Sequence, residues 1–146
     1  KVLRVDRTPL LPLKGRLDWL GTPSRITELK TTTDARQARF LSDVYRYGYH
    51  VSAAYYRMLA SEYTGTPAEA IPHAFVVAET APPYAVAVYP TPERLLAEGR
   101  KLWETQLARF DACWLEQKWP GYPTEALESG GGGKLRFEIG EGEVEL

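Results

Sequence analysis

Two alternating segments around a Gly-Pro break constrain the fold of this chain more than any other stretch. Residues 14–20 and 25–32 both alternate apolar and polar side chains, and the sequence Gly-Thr-Pro-Ser separates them at 21–24. Alternation on both sides of a break made of Gly, Pro and small hydroxyl residues predicts a β-hairpin. We expect the turn of this hairpin to be centred near Pro23.

Three charged residues become neighbours in such a hairpin. Asp18 and Glu28 lie symmetrically about the turn, so they are expected to face each other on the same side of the two strands. Period two places Glu28 and Lys30 on one face of the second strand, and Leu29 and Thr31 on the other. Because two opposed carboxylates repel, the pair needs a compensating cation, which is either a divalent metal ion or Lys30. The alternative is that Glu28 and Lys30 form a solvated charge pair on a surface strand.

The chemistry that this arrangement suggests is metal-assisted hydrolysis of a phosphodiester bond. Carboxylate oxygens suit Mg²⁺ or Mn²⁺, and Mg²⁺ is often held by only one or two carboxylates together with water and substrate phosphate. A bound metal ion acidifies water and neutralises charge on the phosphate. Lys30 is then expected to position that water or to stabilise the charge of the transition state.

Composition limits the remaining classes of function. A chain of 146 residues with 44% hydrophobic and 25% charged residues fits a single globular domain. The formal net charge of −1 provides no global basic field, so any DNA contact must come from a local patch. The single cysteine, Cys113, excludes an internal disulfide and a multi-cysteine zinc or iron–sulfur site. The sequence shows no apolar run long enough to span a membrane and no signal peptide, so the expected location is the cytoplasm.

Helices and strands follow the hairpin in a mixed order. The predicted elements, in chain order, are a strand over 1–5, the hairpin, a helix over 34–44 with Asp34 as its N-cap, a helix over 49–63 ended by Gly65, a buried strand over 73–78, a strand over 84–89 and a helix over 91–114. This order predicts an α/β fold with a mixed central sheet flanked by helices. An apolar stripe on the last helix includes Trp103, Phe110 and Trp114, and we expect it to pack in the core rather than to stack on bases.

The C-terminal region has an unusual order. Residues 129–133 form a Gly-rich linker, and residues 134–146 alternate as a hairpin strand segment. Read from end to start, residues 143–146 continue into 1–5 as one strand, which predicts a chain order rotated by engineering with the Gly run bridging the former ends. The alternative is an ordinary Gly-rich loop before a terminal hairpin. In either case a single domain is expected over 1–146.

These segments together resemble the PD-(D/E)XK nuclease superfamily. Residues 14–18 and 28–32 and the tyrosine-rich stretch 45–56 carry the resemblance, which extends over most of 13–128. Within the superfamily the chain is most similar to the RecE-type exodeoxyribonuclease domain of phage and prophage recombination systems. The resemblance implies a restriction-endonuclease-like core, Mg²⁺- or Mn²⁺-dependent cleavage of DNA, degradation of one strand of a duplex from its 5′ end, and ring-like homo-oligomers.

The resemblance also implies a role for individual residues. Asp18 and Glu28 match the two acidic metal ligands, and the carbonyl group of Leu29 matches a third oxygen ligand. Lys30 matches the catalytic lysine. Tyr56 matches the tyrosine of the Gln-x-x-x-Tyr motif, which lies on a helix beside the active site.

Two departures from the family pattern affect these roles. Ser52 stands where the Gln-x-x-x-Tyr motif has glutamine, and we expect Ser52, Tyr56 and Thr31 to contact the substrate strand. The sequence lacks the Gly-x-x-x-His motif, whose histidine ligates the metal in related nucleases. The two histidines are His50, which could approach the site from just before the tyrosine helix, and His73, which we expect to be structural.

The missing histidine leaves three functions open. The first is a metal-dependent DNA exonuclease. The second is a catalytically silent or engineered minimal nuclease fold that serves as a scaffold or DNA-binding module. The third is an unrelated α/β interaction domain.

Overall fold

The structure, a computed structural model, describes residues 1–121. The linker predicted over 129–133, the hairpin segment predicted over 134–146 and its continuity with residues 1–5 therefore lie outside the described residues. Among residues 1–121, no helix combines the length and the apolar composition needed to cross a lipid bilayer.

Six strands and three α-helices make up the described part of the chain. Their order is β1 (Val2–Arg7), β2 (Leu10–Arg16), β3 (Trp19–Gly21), β4 (Arg25–Thr32), α1 (Gln37–Arg46), α2 (Tyr49–Thr64), β5 (His73–Glu79), β6 (Val86–Pro90) and α3 (Glu93–Glu116). A short 3-10 helix, Ala68–Ala70, precedes β5.

A four-stranded mixed sheet forms the centre of the fold and confirms the predicted class. Its strand order is β3-β4-β5-β6, with β4 and β5 parallel and the two outer pairs antiparallel. In the hairpin, Trp19 pairs with Thr27 and Gly21 with Arg25. This register centres the turn on Pro23, as the alternation predicts.

The first strand of the hairpin is shorter than predicted. The chain from 14 to 20 is not one strand, because β2 ends at Arg16 and pairs with β1 in a separate two-stranded antiparallel sheet. Leu17 is buried between the two sheets, and its N–H donates to the carbonyl of Lys1 at 2.8 Å. Alternation continues through this crossing, so period two cannot reveal that the chain has moved from one sheet to another.

Close packing against α2 fixes β2 before the crossing. A Cβ atom at Gly15 would lie 2.5 Å from Leu59 Cδ1 and 3.0 Å from Tyr56 Cε1. Only glycine allows the strand to approach the helix this closely. The contact holds the β1–β2 sheet against the same helix that packs near the hairpin.

All three helices contribute to cores on the inner face of the sheets. One core cluster joins the central strands to the helices through Ala35, Phe40, Val44, Ala53, Phe75, Val77, Leu95 and Leu96. A second cluster joins β1, β3, β4 and α2 through Leu3, Leu17, Ile26, Leu59, Ala60 and Ile71, with Leu20 packed against it. The fold is therefore a sheet with its helices on one side.

The bounds of all three helices lie within three residues of the predicted ones. Helix α2 ends at Gly65, whose φ of 70° fits the predicted C-terminal cap. Helix α1 starts at Gln37, because Asp34 Oδ1 accepts a hydrogen bond from the N–H of Arg36 (3.0 Å) in a turn before the helix and does not cap it. The core prediction for the stripe on α3 is wrong at its far end, where Phe110 is 39% exposed.

The outer face of the central sheet exposes apolar side chains. One cross-strand row consists of Leu29, Val76 and Val88, of which Leu29 is 55% and Val88 61% exposed. The described helices all pack on the opposite face. Leu29 thus links this outer face to the strand that carries Glu28 and Lys30.

Candidate active site

Strand β4 delivers Glu28 and Lys30 to the inner face of the sheet, as period two predicts. Glu28 is 2% exposed, and its Oε2 atom lies 3.4 Å from Lys30 Nζ. Lys30 retains an exposed fraction of 21% for its side chain. The lysine therefore reaches from the buried carboxylate to solvent.

Asp18 lies beside the edge of β4. It stands in the connection before β3, one position beyond the last paired residues, Trp19 and Thr27. Its Oδ2 atom accepts a hydrogen bond from the N–H of Leu29 at 3.0 Å. Because the N–H and C=O of one strand residue point to the same edge, the carbonyl of Leu29 faces the side on which Asp18 lies.

The environment of Glu28 opposes its ionisation. Burial raises the pKa of Glu28, the nearby Lys30 ammonium lowers it in part, and the charge of Asp18 raises it further. The Oε2 atom of Glu28 is buried and lacks a hydrogen-bond partner among the described residues. A buried carboxylate beside a second acid is the arrangement that a cation would stabilise.

An aromatic ring holds the lysine from its other side. Lys30 Nζ lies 4.5 Å from the centroid of the Tyr49 ring, a cation–π distance. Tyr49 is the first residue of α2. The sequence includes Tyr49 in the helix predicted over 49–63 but indicates no role for it at the site, because its contact with Lys30 depends on how α2 packs on the sheet.

The histidine beside the site is His73, and the structure reverses the expectation from the sequence. His73 Nε2 lies 4.0 Å from Glu28 Oε2, whereas His50 is buried with Nδ1 at 3.2 Å from the carbonyl oxygen of Val44. His73 opens β5, and it shares the inward side of this strand with Phe75. The available signal was the buried strand predicted over 73–78, but only the parallel pairing of β4 and β5 brings His73 to Glu28.

Helix α2 places Tyr56 near the acids. Burial raises the pKa of Tyr56, and the charges of Glu28 and Asp18 raise it further. Ser52 lies one helical turn before Tyr56 and therefore on the same side of α2. Thr31 is exposed on the outer face of β4, so the structure separates it from Glu28 and Lys30.

The donor set fits a hard cation with an incomplete protein shell. Within residues 1–121, no three Asp, Glu, His or Cys side chains converge closely enough to hold a metal ion. Asp18 and Glu28 supply two carboxylates, and the carbonyl of Leu29, the residue after Glu28, faces the edge of β4 beside which Asp18 lies. Two carboxylates and a carbonyl suffice for Mg²⁺ when water and phosphate complete the shell.

Two comparisons identify known proteins to which this chain is similar. The profile of a family described as a PDDEXK-like domain of unknown function (DUF3799) matches residues 3–129. A crystal structure from Eubacterium rectale, named "Putative exonuclease", is similar with a TM-score of 0.61 and 16% sequence identity. The match covers 90% of this chain and 56% of that one, and at this identity it shows a shared fold.

The chain thus spans 56% of the length of the structure that it resembles. No curated protein sequence matches the chain. The family match confirms the predicted PD-(D/E)XK relationship and the restriction-endonuclease-like core, and it rules out an unrelated α/β domain. Since the family profile covers most of its residues, this chain belongs to the family of PDDEXK-like domains.

Proposed function

We propose that this chain is a metal-dependent DNA nuclease domain that hydrolyses phosphodiester bonds, with an exonuclease-like activity. The observation that carries the proposal is the close approach of Glu28 and Lys30 on β4, with Asp18 beside the edge of the same strand. Glu28 and Lys30 lie 3.4 Å apart, and Asp18 is anchored to the intervening residue by the hydrogen bond from the N–H of Leu29. The family match supports the same chemistry.

Asp18, Glu28 and the carbonyl of Leu29 would hold Mg²⁺ or Mn²⁺. The ion, when bound, supplies an acidified water and charge neutralisation on the phosphate. Lys30 donates hydrogen bonds to the attacking water or to a phosphate oxygen as negative charge develops there. The ring of Tyr49 limits the positions of Lys30, so little reorganisation is needed during the reaction.

DNA is the proposed substrate. Tyr56 and Ser52 lie on one side of α2 near the acids, where a hydroxyl group can contact a phosphate or sugar. The name of the Eubacterium rectale protein supports an exonuclease in preference to an endonuclease. The 5′ polarity, the ring-like homo-oligomer, the contact from Thr31 and the cytoplasmic location stay predictions.

Cleavage of linear duplex DNA by a Lys30→Met variant tests the proposal. Methionine keeps most of the length of lysine but removes the charge and the donors, so we expect cleavage with Mg²⁺ to fall by about 10²–10³-fold. Lys101→Met is the matched control, because Lys101 is exposed on α3. Unchanged cleavage by Lys30→Met, or cleavage that persists in EDTA, would contradict the proposal.

A catalytically silent nuclease fold is the second candidate. It is favoured by the absence of a third acidic or histidine ligand among the described residues. Such a protein would bind duplex DNA without shortening it. Fluorescence anisotropy of labelled DNA, measured beside the cleavage assay with Mg²⁺ and then Mn²⁺, separates binding without hydrolysis from the nuclease.

A further inference from the structure

Two buried polar atoms face each other beside the proposed site without a hydrogen-bond partner. Glu28 Oε2 and His73 Nε2 lie 4.0 Å apart, and both lack a partner in the described part of the chain. The gap is too wide for a direct hydrogen bond. A shift of about 1 Å would satisfy both atoms at once.

The ring of His73 is held so that Nε2 points at Glu28. Its Nδ1 atom lies 2.8 Å from Thr91 Oγ1, and its ring packs edge-on against Phe75 with centroids 4.8 Å apart. The N–H of Thr91 also donates to the carbonyl of His73 at 2.8 Å, which ties the two residues together. The side chain of His73 is 0% exposed, so no solvent competes for Nε2.

Only one arrangement of protons suits an ionised Glu28. A carboxylate offers acceptors alone, so the neutral ring must carry its proton on Nε2 to donate to Oε2. The hydroxyl of Thr91 then donates to Nδ1. The other tautomer would turn a bare nitrogen lone pair toward the carboxylate, which is repulsive.

We propose that His73 is a positioning residue that orients Glu28 for metal binding, with Thr91 fixing its tautomer. The inference rests on the proposed function. His73 and Lys30 both face Oε2 of Glu28. Donors on this one oxygen leave Oε1 to coordinate the ion, as second partners of carboxylate ligands commonly do.

The tautomer of His73 in the metal-free protein provides a test that needs neither metal nor DNA. We expect ¹⁵N NMR to show the proton on Nε2, and the Nε2 resonance to move in a Glu28→Gln variant. A proton on Nδ1, or an Nε2 resonance at the same position in the wild type and in Glu28→Gln, would overturn the inference.

Binding of Mn²⁺, followed by EPR, tests the effect on the proposed metal site. The amide nitrogen of glutamine can replace Nε2, whereas asparagine reaches only the Nδ1 position. We therefore expect His73→Gln to bind Mn²⁺ nearly as well as the wild type and His73→Asn to bind about 10–100-fold more weakly. His50→Asn is the control, since His50 is buried away from Glu28.

The outcomes separate this inference from the nuclease proposal. Mn²⁺ binding that depends on His73, without any DNA cleavage, would support the positioning role and contradict the nuclease. Cleavage that depends on Lys30, with wild-type Mn²⁺ affinity in a folded His73→Asn protein, would support the nuclease and contradict the positioning role of His73. A wild-type protein that binds no Mn²⁺ would overturn both.

Discussion

Glu28 is a residue whose environment favours the proposed function over stability. The fold buries its carboxylate, and burial raises its pKa even though Lys30 is close. Buried charges of this kind destabilise a metal-free protein and are retained where a ligand or a reaction uses them. Two substitutions at this scale test the point.

Replacing Glu28 with glutamine should stabilise the metal-free protein at neutral pH. The pKa of Glu28 in the folded state lies above its usual value of 4.5. The folded state therefore loses stability as the pH rises from 4.5 to the raised pKa, and it does not regain this stability at higher pH. We expect Glu28→Gln to gain about 1 kcal/mol at neutral pH in urea unfolding, and less in acid. Glu62→Gln, an exposed change on α2, is the control. A loss of stability in Glu28→Gln would contradict this reasoning.

His73 should make the metal-free protein sensitive to acid. Burial, Arg57 and Lys30 lower the pKa of His73 to about 4 from the usual 6.5. Between these values the unfolded chain binds a proton that the folded state excludes, so stability falls as pH is lowered through the window. The full loss is on the order of 3 kcal/mol, offset in part by Glu28, whose raised pKa acts in the opposite direction. Unfolding titrations in EDTA should show this pH slope in the wild type and not in His73→Gln.

The site residues that the sequence predicts are those fixed by local periodicity. Glu28 and Lys30 share a face because they are two residues apart in one strand, and Asp18 follows from the turn at Pro23. His73 meets Glu28 only through the pairing of β4 with β5, which no local pattern encodes.

At the scale of elements, the crossing of α2 and α3 sets the position of the tyrosine helix. Gly99 of α3 lies against the backbone of α2, where an added Cβ atom would be 2.1 Å from the carbonyl oxygen of His50. Arg57 of α2 adds a second contact, since its Nη1 donates to Glu93 Oε2 at 2.8 Å. These contacts hold the start of α2, including Tyr49, over Lys30.

Gly99→Ala should therefore be strongly destabilising. In an exposed helix this change usually stabilises, since alanine is the better helix former. Here the new methyl group must push α3 away from α2, and we expect a loss of about 3 kcal/mol in chemical unfolding. Gln106→Ala, at an exposed position of the same helix, should change stability by less than about 0.5 kcal/mol. A neutral or stabilising Gly99→Ala would show that the crossing is looser than the structure indicates.

The positions of strands and helices along the chain were more predictable than the elements with which they pair or pack. The helix over 49–63 and the strand over 73–78 were expected almost as they are, because their periodicity and flanking signals agree. The division of the first predicted hairpin strand into β2 and β3 was missed, because both pieces keep period two while they join different sheets.

At the scale of the whole molecule, an ion pair connects the two-stranded sheet to α3. Arg7 at the end of β1 makes a bidentate contact with Asp111, with Nη1 at 3.1 Å from Oδ1. Both side chains are largely buried, 19% and 16% exposed. The ion pair thus joins β1 to α3, and α2 packs against both of these elements.

A double-mutant cycle with Arg7→Met and Asp111→Asn should measure this connection. Because a bidentate, partly buried pair is stronger than a surface pair, we expect a coupling energy of about 2 kcal/mol. The exposed pair Arg94 and Glu98 within α3 serves as the control cycle and should give less than about 0.5 kcal/mol. Equal coupling in the two cycles would mean that the Arg7 pair does not join the sheet to the helix.

The short length of β3 has a consequence for solubility. Within the described residues, the hairpin pairs β4 only as far as Thr27, so the backbone of the following residues borders on solvent along that side. An unpaired strand edge of this kind can pair with an extended segment of another molecule and begin aggregation. At this edge the carboxylate of Asp18 accepts a hydrogen bond from the N–H of Leu29. It also places a negative charge where a strand of another molecule would pair. The acid proposed to bind the ion would then also act as a gatekeeper that keeps neighbouring molecules apart.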